Sequence, residues 1–142
     1  MNVWPPYLAA GIRVRRISDD FRHARVELRL GLLNRNYVHV HFGGSLFAMT
    51  DPFYMLMYIK NLGPDYLVWD KSAAIDFVRP GRGTVAAEFR LEESDFEHAR
   101  TEALRQRAFL VKHPVEIRDR EDAVVARVER TIYIRRKLER AA

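Results

Sequence analysis

The chain has 142 residues, 48% of them hydrophobic, which is enough for one domain with a buried core. It contains no cysteine, which excludes disulfides, thiolate metal sites and cysteine nucleophiles. No window of about 18 uncharged apolar residues is present, so no membrane-spanning helix is expected.

The net charge is +5, and 20 arginines stand against only 4 lysines. Because the basic residues are spread over the whole chain, three explanations stay open: an arginine-rich composition, an anionic ligand, or nucleic acid. The first residues contain no basic segment that leads into an apolar run. We therefore expect no secretory signal and a cytoplasmic location.

The first predicted elements are two strands, at residues 11–15 and 24–30. Apolar residues alternate with charged ones in both, as in strands with one buried and one solvated face. Residues 18–20 are typical of a turn between them. Residues 34–36 then lead into a predicted extended segment, 37–41, which would place His39 and His41 on one face.

The most informative segment is an almost wholly apolar stretch, residues 46–59, which follows a glycine pair and contains one carboxylate, Asp51. A helix that is apolar on every side belongs in a core, so we predict one long central helix near residues 45–61. A carboxylate there is costly unless it is paired, hydrogen-bonded or protonated. Pro52 gives a second interpretation, in which Asp51 caps a helix that begins or kinks at the proline.

The second half of the chain predicts mainly strands. Residues 61–64 end the central helix, and residues 118–122 form a charged turn. A polar helix is expected from Ser94 or Asp95 to about Gln106, with an apolar side formed by Phe96, Ala99 and Ala103. The basic tail, 135–140, is expected to fray. Strands are predicted at residues 66–69, 73–78, 84–91, 111–117 and 124–134.

Short links between the later strands favour antiparallel pairing. A single antiparallel sheet curved around one helix would cover every apolar face. We therefore predict an α+β fold and a single domain over residues 1–142, with its core at about 10–136. Such a sheet leaves free edges and an exposed side of the helix, so a homodimer or a dimer of dimers is expected.

Two motifs resemble the hotdog-fold thioesterase superfamily. Asn36 and residues 42–51, Phe-Gly-Gly-Ser-Leu-Phe-Ala-Met-Thr-Asp, resemble the Asn-x5-His-Gly-Gly-x-x-Phe-x-x-x-Asp pattern of phenylacetic-acid-degradation-type thioesterases. Residues 75–83, Ile-Asp-Phe-Val-Arg-Pro-Gly-Arg-Gly, resemble that family's strand ending in Leu-Arg-Pro-Ala-Arg-Gly. The chain is most similar to an uncharacterised, thioesterase-like hotdog subfamily. It departs from the pattern at Phe42, where the family has histidine; the histidine here is His41.

This resemblance implies hydrolysis of an acyl thioester such as acyl-CoA, at a site on a dimer interface. It implies no metal and no cofactor other than coenzyme A as part of the substrate. In the implied mechanism Asp51 is a general base or a nucleophile, and the side-chain amide of Asn36 positions the carbonyl group. The backbone N–H groups of Gly44 and Ser45 donate to the oxyanion. The implied substrate-binding residues line the cleft or bind phosphate: His41, Gly43, Arg79 and Arg82.

Plainer interpretations stay open for several of these residues. Asn36 is also a natural turn residue, and Arg79 and Arg82 also suit a solvated loop. His39 and His41 have a spacing that suits a metal, but no third ligand is evident. Two other functions are compatible with the sequence: binding of acyl thioesters without hydrolysis, and, less favoured, binding of nucleic acid, which no recognisable motif supports.

Overall fold

Six antiparallel strands form one sheet, in the spatial order β1-β2-β4-β5-β6-β3. The computed structural model describes residues 1–137. The bounds of the helices and strands are α1 Pro5–Ala10, β1 Ile12–Ile17, β2 His23–Arg29, α2 Gly43–Ala48, α3 Phe53–Leu62, β3 Tyr66–Phe77, β4 Thr84–Arg90, α4 Glu93–Arg105, β5 Phe109–Arg118 and β6 Val124–Arg136.

The alternating patterns predicted most of these strands correctly. In β2, Ala24, Val26 and Leu28 are buried, whereas Arg25 and its neighbours of the same parity face outward. The outward side chains pair across strands, as Arg25 does with Glu88 of β4 at 2.7 Å. One face of the sheet is therefore an apolar floor, and the other carries charges.

Helix α3 covers the apolar floor of the sheet. Phe53 packs against Phe89 of β4 with ring centroids 4.8 Å apart, and the ring of Tyr58 packs edge-on against Phe96 of α4 at 5.5 Å. Tyr54 is also buried, and its hydroxyl donates to the carbonyl of Pro114 on β5. These side chains are the aromatic part of the core, and α4 adds its predicted apolar side of Phe96, Ala99 and Ala103.

Several predicted boundaries were wrong. Helix α4 starts after Glu92, whose N–H donates to the Asp95 carboxylate at 2.7 Å, so neither Ser94 nor Asp95 is the N-cap. Strand β3 is one continuous strand with an irregularity after Asp70, not two strands. Strand β6 reaches Arg136, so the first two residues of the expected fraying tail are paired in the sheet. Residues 138–140 of that tail lie outside the described residues.

Helix α1 was missed altogether. Pro5 and Pro6 occupy its first turn, where a missing N–H costs nothing, and Gly11 ends it in the left-handed conformation with φ of 79°. Both signals are present in the sequence. The helix matters because its buried Tyr7 reaches the central helical segment.

The predicted long central helix is two helices, α2 and α3, separated by residues 49–52. The interruption falls at Pro52, where a helix interior would lose a hydrogen bond and clash. Pro52 itself stands at the N-cap position of α3, with no side-chain cap. Asp51 is therefore not the helix cap of the second interpretation. No helix within residues 1–137 is long and apolar enough to cross a membrane.

Candidate functional site

Asp51 lies at the interruption between α2 and α3, where its carboxylate reaches the surface. Its side chain is 54% exposed, and Oδ2 accepts a hydrogen bond from Arg130 Nη1 at 3.0 Å. Oδ1 accepts no hydrogen bond from residues 1–137. The carboxylate is thus neither inside an apolar helix nor a cap: it is an accessible acid held on one side by a cation.

Arg130 is the buried partner that the sequence analysis missed. It lies on β6, its side chain is only 5% exposed, and its guanidinium stacks over the Phe47 ring at 5.1 Å. Nη2 donates to Thr50 Oγ1 at 3.0 Å and to the Phe47 carbonyl at 3.3 Å. Because these contacts come from α2 and the segment after it, Arg130 fixes the residues around Asp51 against the sheet.

A second carboxylate, Asp70 of β3, faces the same arginine. Its Oδ2 is 3.6 Å from Arg130 Nη1, and its side chain is 18% exposed. Oδ1 is buried without a partner among the described residues. Burial raises the pKa of Asp70 above its ordinary value, Arg130 opposes that rise, and Asp51 adds to it. Arg130 is therefore the cationic partner of two carboxylates, one half exposed (Asp51) and one largely buried (Asp70).

Tyr7 of α1 also holds this region, since its hydroxyl donates to the backbone carbonyl of Asp51. The tyrosine is almost completely buried. Burial and the Asp51 charge raise the pKa of Tyr7, so its hydroxyl keeps its proton and stays a donor. The backbone and the side chain of Asp51 are thus fixed by two different elements, α1 and β6.

The segment before the glycine pair is a compact turn and not the predicted extended segment. Asn36 Oδ1 accepts hydrogen bonds from the N–H groups of Val38 and Val40, and His39 has a positive φ of 61°. As a result His39 is exposed and His41 is buried, so they do not share a face. Asn36 shapes this turn, as its plainer interpretation expected.

His41 connects this turn to the loop between β3 and β4. Its N–H donates to the Gly81 carbonyl at 3.0 Å, and its Nε2 lies 3.0 Å from the Gly83 carbonyl. A carbonyl only accepts, so Nε2 carries the proton, and the buried Nδ1 has no partner among the described residues. Burial lowers the pKa of His41, which favours this neutral form.

The same connection leaves no room for a side chain at Gly81. An added Cβ would lie 2.9 Å from Val125 Cγ1 and 3.1 Å from His41 Cδ2. The glycine of the second sequence motif therefore allows the loop to pack closely against both β6 and His41.

The glycine pair starts α2. The N–H groups of Ser45 and Leu46 donate to the Phe42 carbonyl at 3.0 and 3.2 Å, whereas those of Gly43 and Gly44 donate to no described residue. The amide of Ser45, one of the two donors expected for an oxyanion, is therefore already used. The free pair is Gly43 and Gly44.

Aromatic rings explain why this pair is glycine. A Cβ on Gly43 would lie 2.8 Å from the Phe77 ring, and the Phe42 ring fills the space where a Gly44 Cβ would stand. Phe42 is exposed and is not part of the core. Where the family pattern has histidine, this chain has an aromatic ring that covers Gly44.

Arg79 and Arg82, the two residues expected to bind phosphate, differ in their surroundings. The backbone N–H of Arg79 donates to the Val125 carbonyl at 3.1 Å, and its side chain is exposed. Arg82 is also exposed but lines a groove with Arg29 and Arg120. Among residues 1–137 no group of three or more acidic or histidine side chains is arranged to hold a metal ion.

The predicted site residues therefore form two groups. One is the turn and loop held together by His41, and the other is Asp51 with Arg130, Asp70 and Tyr7. Helix α2 runs from one group to the other. Arg130 had a detectable signal, since it shares the inward parity of Val128 and Ile132 in a strand pattern, where a charge requires a partner.

A curved antiparallel sheet covered by a central helical segment is the hotdog fold, as predicted. Solved structures agree. A probable thioesterase of unknown function from Pseudomonas aeruginosa superposes with a TM-score of 0.78 at 19% identity, over 89% of this chain and 84% of that one. A thioesterase from Haemophilus influenzae gives 0.69 at 14%, over 99% and 90%. The Escherichia coli PaaI protein, from the phenylacetic acid degradation operon, gives 0.62 at 16%, over 96% and 86%.

The chain belongs to the family described as domain of unknown function DUF4442, whose model matches residues 1–134. No curated protein matches the sequence. The family description assigns no activity, and at these identities the solved structures define the fold alone.

Proposed function

We propose that this protein hydrolyses acyl thioesters, with Asp51 as the residue that activates water. The observation that carries the proposal is how the Asp51 carboxylate is hydrogen-bonded and exposed. One oxygen is held by Arg130, the other accepts no hydrogen bond from residues 1–137, and the side chain is half exposed between α2 and α3. A fixed, exposed carboxylate beside a hotdog helix is suited to general-base chemistry. Thioesterases among the solved structures of similar fold support the reaction class.

In the proposed reaction, Asp51 takes a proton from a water molecule as its oxygen bonds to the thioester carbonyl carbon. The N–H groups that would donate to the carbonyl oxygen as it gains negative charge are those of Gly43 and Gly44 of the partner subunit, because within one chain helix α2 separates the glycine pair from Asp51. The carbon–sulfur bond then breaks, and the thiolate takes the proton from Asp51. Direct attack by the carboxylate, followed by hydrolysis of the anhydride, is the other route that this placement allows.

The remaining predicted residues would hold the site in shape or bind the substrate, and would not take part in the chemical step. Asn36 orders the turn, His41 joins that turn to the loop carrying Gly81, and both hold the glycine pair in place. Arg82 would bind phosphate groups of a coenzyme A thioester, and Arg79 lies on the same loop.

We further propose a homodimer that pairs through β3, with a dimer of dimers as the larger form. Strand β3 is a 12-residue edge strand with exposed Trp69 and Phe77, and a long edge of this kind favours pairing with another chain. Phe77 contacts the start of α2, so a partner across β3 would lie beside the site. Light scattering should give twice or four times the mass of the chain. The mass of a single chain would contradict this proposal.

Asp51→Asn tests the catalytic role, since the amide keeps the shape but cannot accept a proton. We expect thiol release from acyl-CoA to fall by about 100- to 10,000-fold, the range that general-base catalysis contributes. Asp19→Asn, an exposed acid in the β1–β2 turn, is the matched control and should keep the full rate. If Asp51→Asn folds and hydrolyses acyl-CoA like the wild type, the role of Asp51 is wrong.

The second candidate is binding of acyl thioesters without hydrolysis. It is favoured by Phe42, which stands at the position where the family pattern has histidine and whose ring covers Gly44. A panel of acyl-CoA substrates distinguishes the two functions. Binding with no thiol released over many hours would favour this candidate, whereas turnover that is lost in Asp51→Asn would favour hydrolysis.

A further inference from the structure

Four exposed arginines gather at the end of the sheet where β2 finishes and β4 begins. They come from β1, β2, the β3–β4 loop and the β5–β6 turn: Arg13, Arg29, Arg82 and Arg120. They line two adjoining hollows of about 570 and about 180 Å³, which share Arg29, Thr84 and Arg120. We call this the arginine groove.

These arginines differ from the others on the charged face of the sheet. There Arg25 pairs with Glu88 at 2.7 Å, and Arg127 pairs with Glu116 at 3.1 Å. Among residues 1–137 no carboxylate lies within ion-pair distance of any groove arginine. Four like charges thus lie close together with none of them in an ion pair with a described residue, which favours an anion from outside.

Neighbouring acids reduce this charge but do not cancel it. Asp119 Oδ1 accepts the N–H groups of Glu121 and Ala123 within its own turn, at 3.0 and 2.9 Å. Glu27 is paired with Arg15 at 2.7 Å. The two hollows are lined by five arginines, Arg15 included, and by three acids, Glu27, Asp119 and Glu121, so the groove keeps a net positive charge.

The groove is connected to the candidate site. Arg82 stands between Gly81 and Gly83, whose carbonyls both bind His41. Gly81 also packs on Val125, and Arg130 follows five residues later on β6, which corresponds to about 16 Å along a strand. A pantetheine arm is long enough to connect a phosphate group in the groove with a thioester beside Asp51.

We infer that the arginine groove binds the 3′-phosphorylated adenosine diphosphate portion of coenzyme A, an inference that rests on the proposed thioester hydrolysis. Guanidinium groups bind phosphate oxygens in pairs, and this portion carries a diphosphate and a 3′-phosphate. A carrier-protein thioester has a single phosphodiester and would leave most of the groove unpaired. None of the lining residues is aromatic, so the groove offers no stacking surface of the kind that single-stranded nucleic acid uses.

Calorimetric titration with adenosine 3′,5′-diphosphate tests this inference without any thioester. We expect binding to the wild type, roughly tenfold or more weaker binding by Arg29→Gln and by Arg120→Gln, and tighter binding by Glu121→Gln. Arg90→Gln is the matched control, because Arg90 lies six residues from Thr84 on β4, about 20 Å away, and should bind normally. All four side chains are on the surface, and thermal unfolding checks that the variants fold.

No binding of adenosine 3′,5′-diphosphate, or equal weakening in Arg90→Gln, would overturn the inference. So would a short single-stranded oligonucleotide that binds through Arg29 and is not displaced by the nucleotide. Hydrolysis of acyl-CoA and of an acyl N-acetylcysteamine thioester, which has no phosphate, separates the two proposals. If both are cleaved at similar rates and the nucleotide does not bind, the groove assignment fails alone. If neither is cleaved, the proposed function fails, and the titration still decides the groove.

Discussion

Arg130 and the arginine groove use the same side chain in opposite surroundings. Arg130 is buried, and its guanidinium contacts two carboxylates, a hydroxyl, a carbonyl and an aromatic ring. The groove arginines are exposed and pair with no acid in residues 1–137. A buried arginine is satisfied by the protein and fixes structure, whereas an exposed unpaired cluster is available to a ligand. Burial and pairing distinguish these roles, and the count of 20 arginines does not.

The largest expected effect comes from removing the buried arginine. Arg130→Met keeps the apolar stem but leaves Asp70 without a cation in a largely buried position. Loss of one partner of a buried pair costs about 3–5 kcal/mol, and we expect about 3 because Asp51 is half exposed and regains water. Urea unfolding measures the change. Arg29→Met, in the groove, should change the free energy of unfolding by no more than about 0.5 kcal/mol. Equal losses in the two variants would break the comparison.

The next effect concerns the loop that joins the two regions. Gly81→Ala would place a methyl group 2.9 Å from Val125 and 3.1 Å from His41. We expect a loss of about 1–3 kcal/mol, the usual cost of overpacking a close contact. Gly31→Ala is the matched control, since its nearest contact would be an ordinary 3.5 Å to Asn34. If Gly81→Ala is as stable as Gly31→Ala, the loop can shift away from His41 and Val125 at no cost, and the close contact does not contribute to stability.

The fold was predictable from the sequence because its signals are local and repeated. Alternation in residues 24–30 and 84–91 identified β2 and β4, and the apolar stretch identified the central helical segment. The hotdog fold followed from the two motifs and from the order of the elements along the chain. Boundaries such as the start of α4 depend on single hydrogen bonds, which the pattern does not specify.

The site was less predictable because its partners are distant along the chain. The sequence pointed to Asp51 as the unusual carboxylate but not to its partners, since its ion pair joins residues 79 positions apart and its backbone partner Tyr7 lies 44 positions away. The groove has the same property, since four segments contribute one arginine each. Pairing of this kind depends on the sheet order, β1-β2-β4-β5-β6-β3, and a single sequence gives no register for it.

A smaller effect is expected from pH. Burial lowers the pKa of His41 below its ordinary 6.5, so the unfolded chain takes up a proton more readily than the folded one. Stability from this group is present above about pH 6.5 and is lost as the pH falls. His41→Gln keeps a donor for Gly83 and should show a smaller loss of unfolding free energy between pH 8 and pH 5 than the control His39→Gln. Comparing these variants cancels the contributions of His113 and Asp70, which both retain. The same loss in both would contradict the prediction.

The smallest expected change is the response of the buried pair to salt. Exposed charges are screened within about 10 Å at 0.1 M salt, whereas buried pairs are screened much less. The difference in unfolding free energy between the wild type and Arg130→Met should therefore change by less than about 0.5 kcal/mol between about 0.05 and about 0.5 M sodium chloride. Over the same range, binding of adenosine 3′,5′-diphosphate should weaken several-fold, because the groove is open to ions. If the Arg130 difference falls with salt as steeply as the binding does, Arg130 is reached by solvent, and the contrast between a structural and a ligand-binding arginine no longer holds.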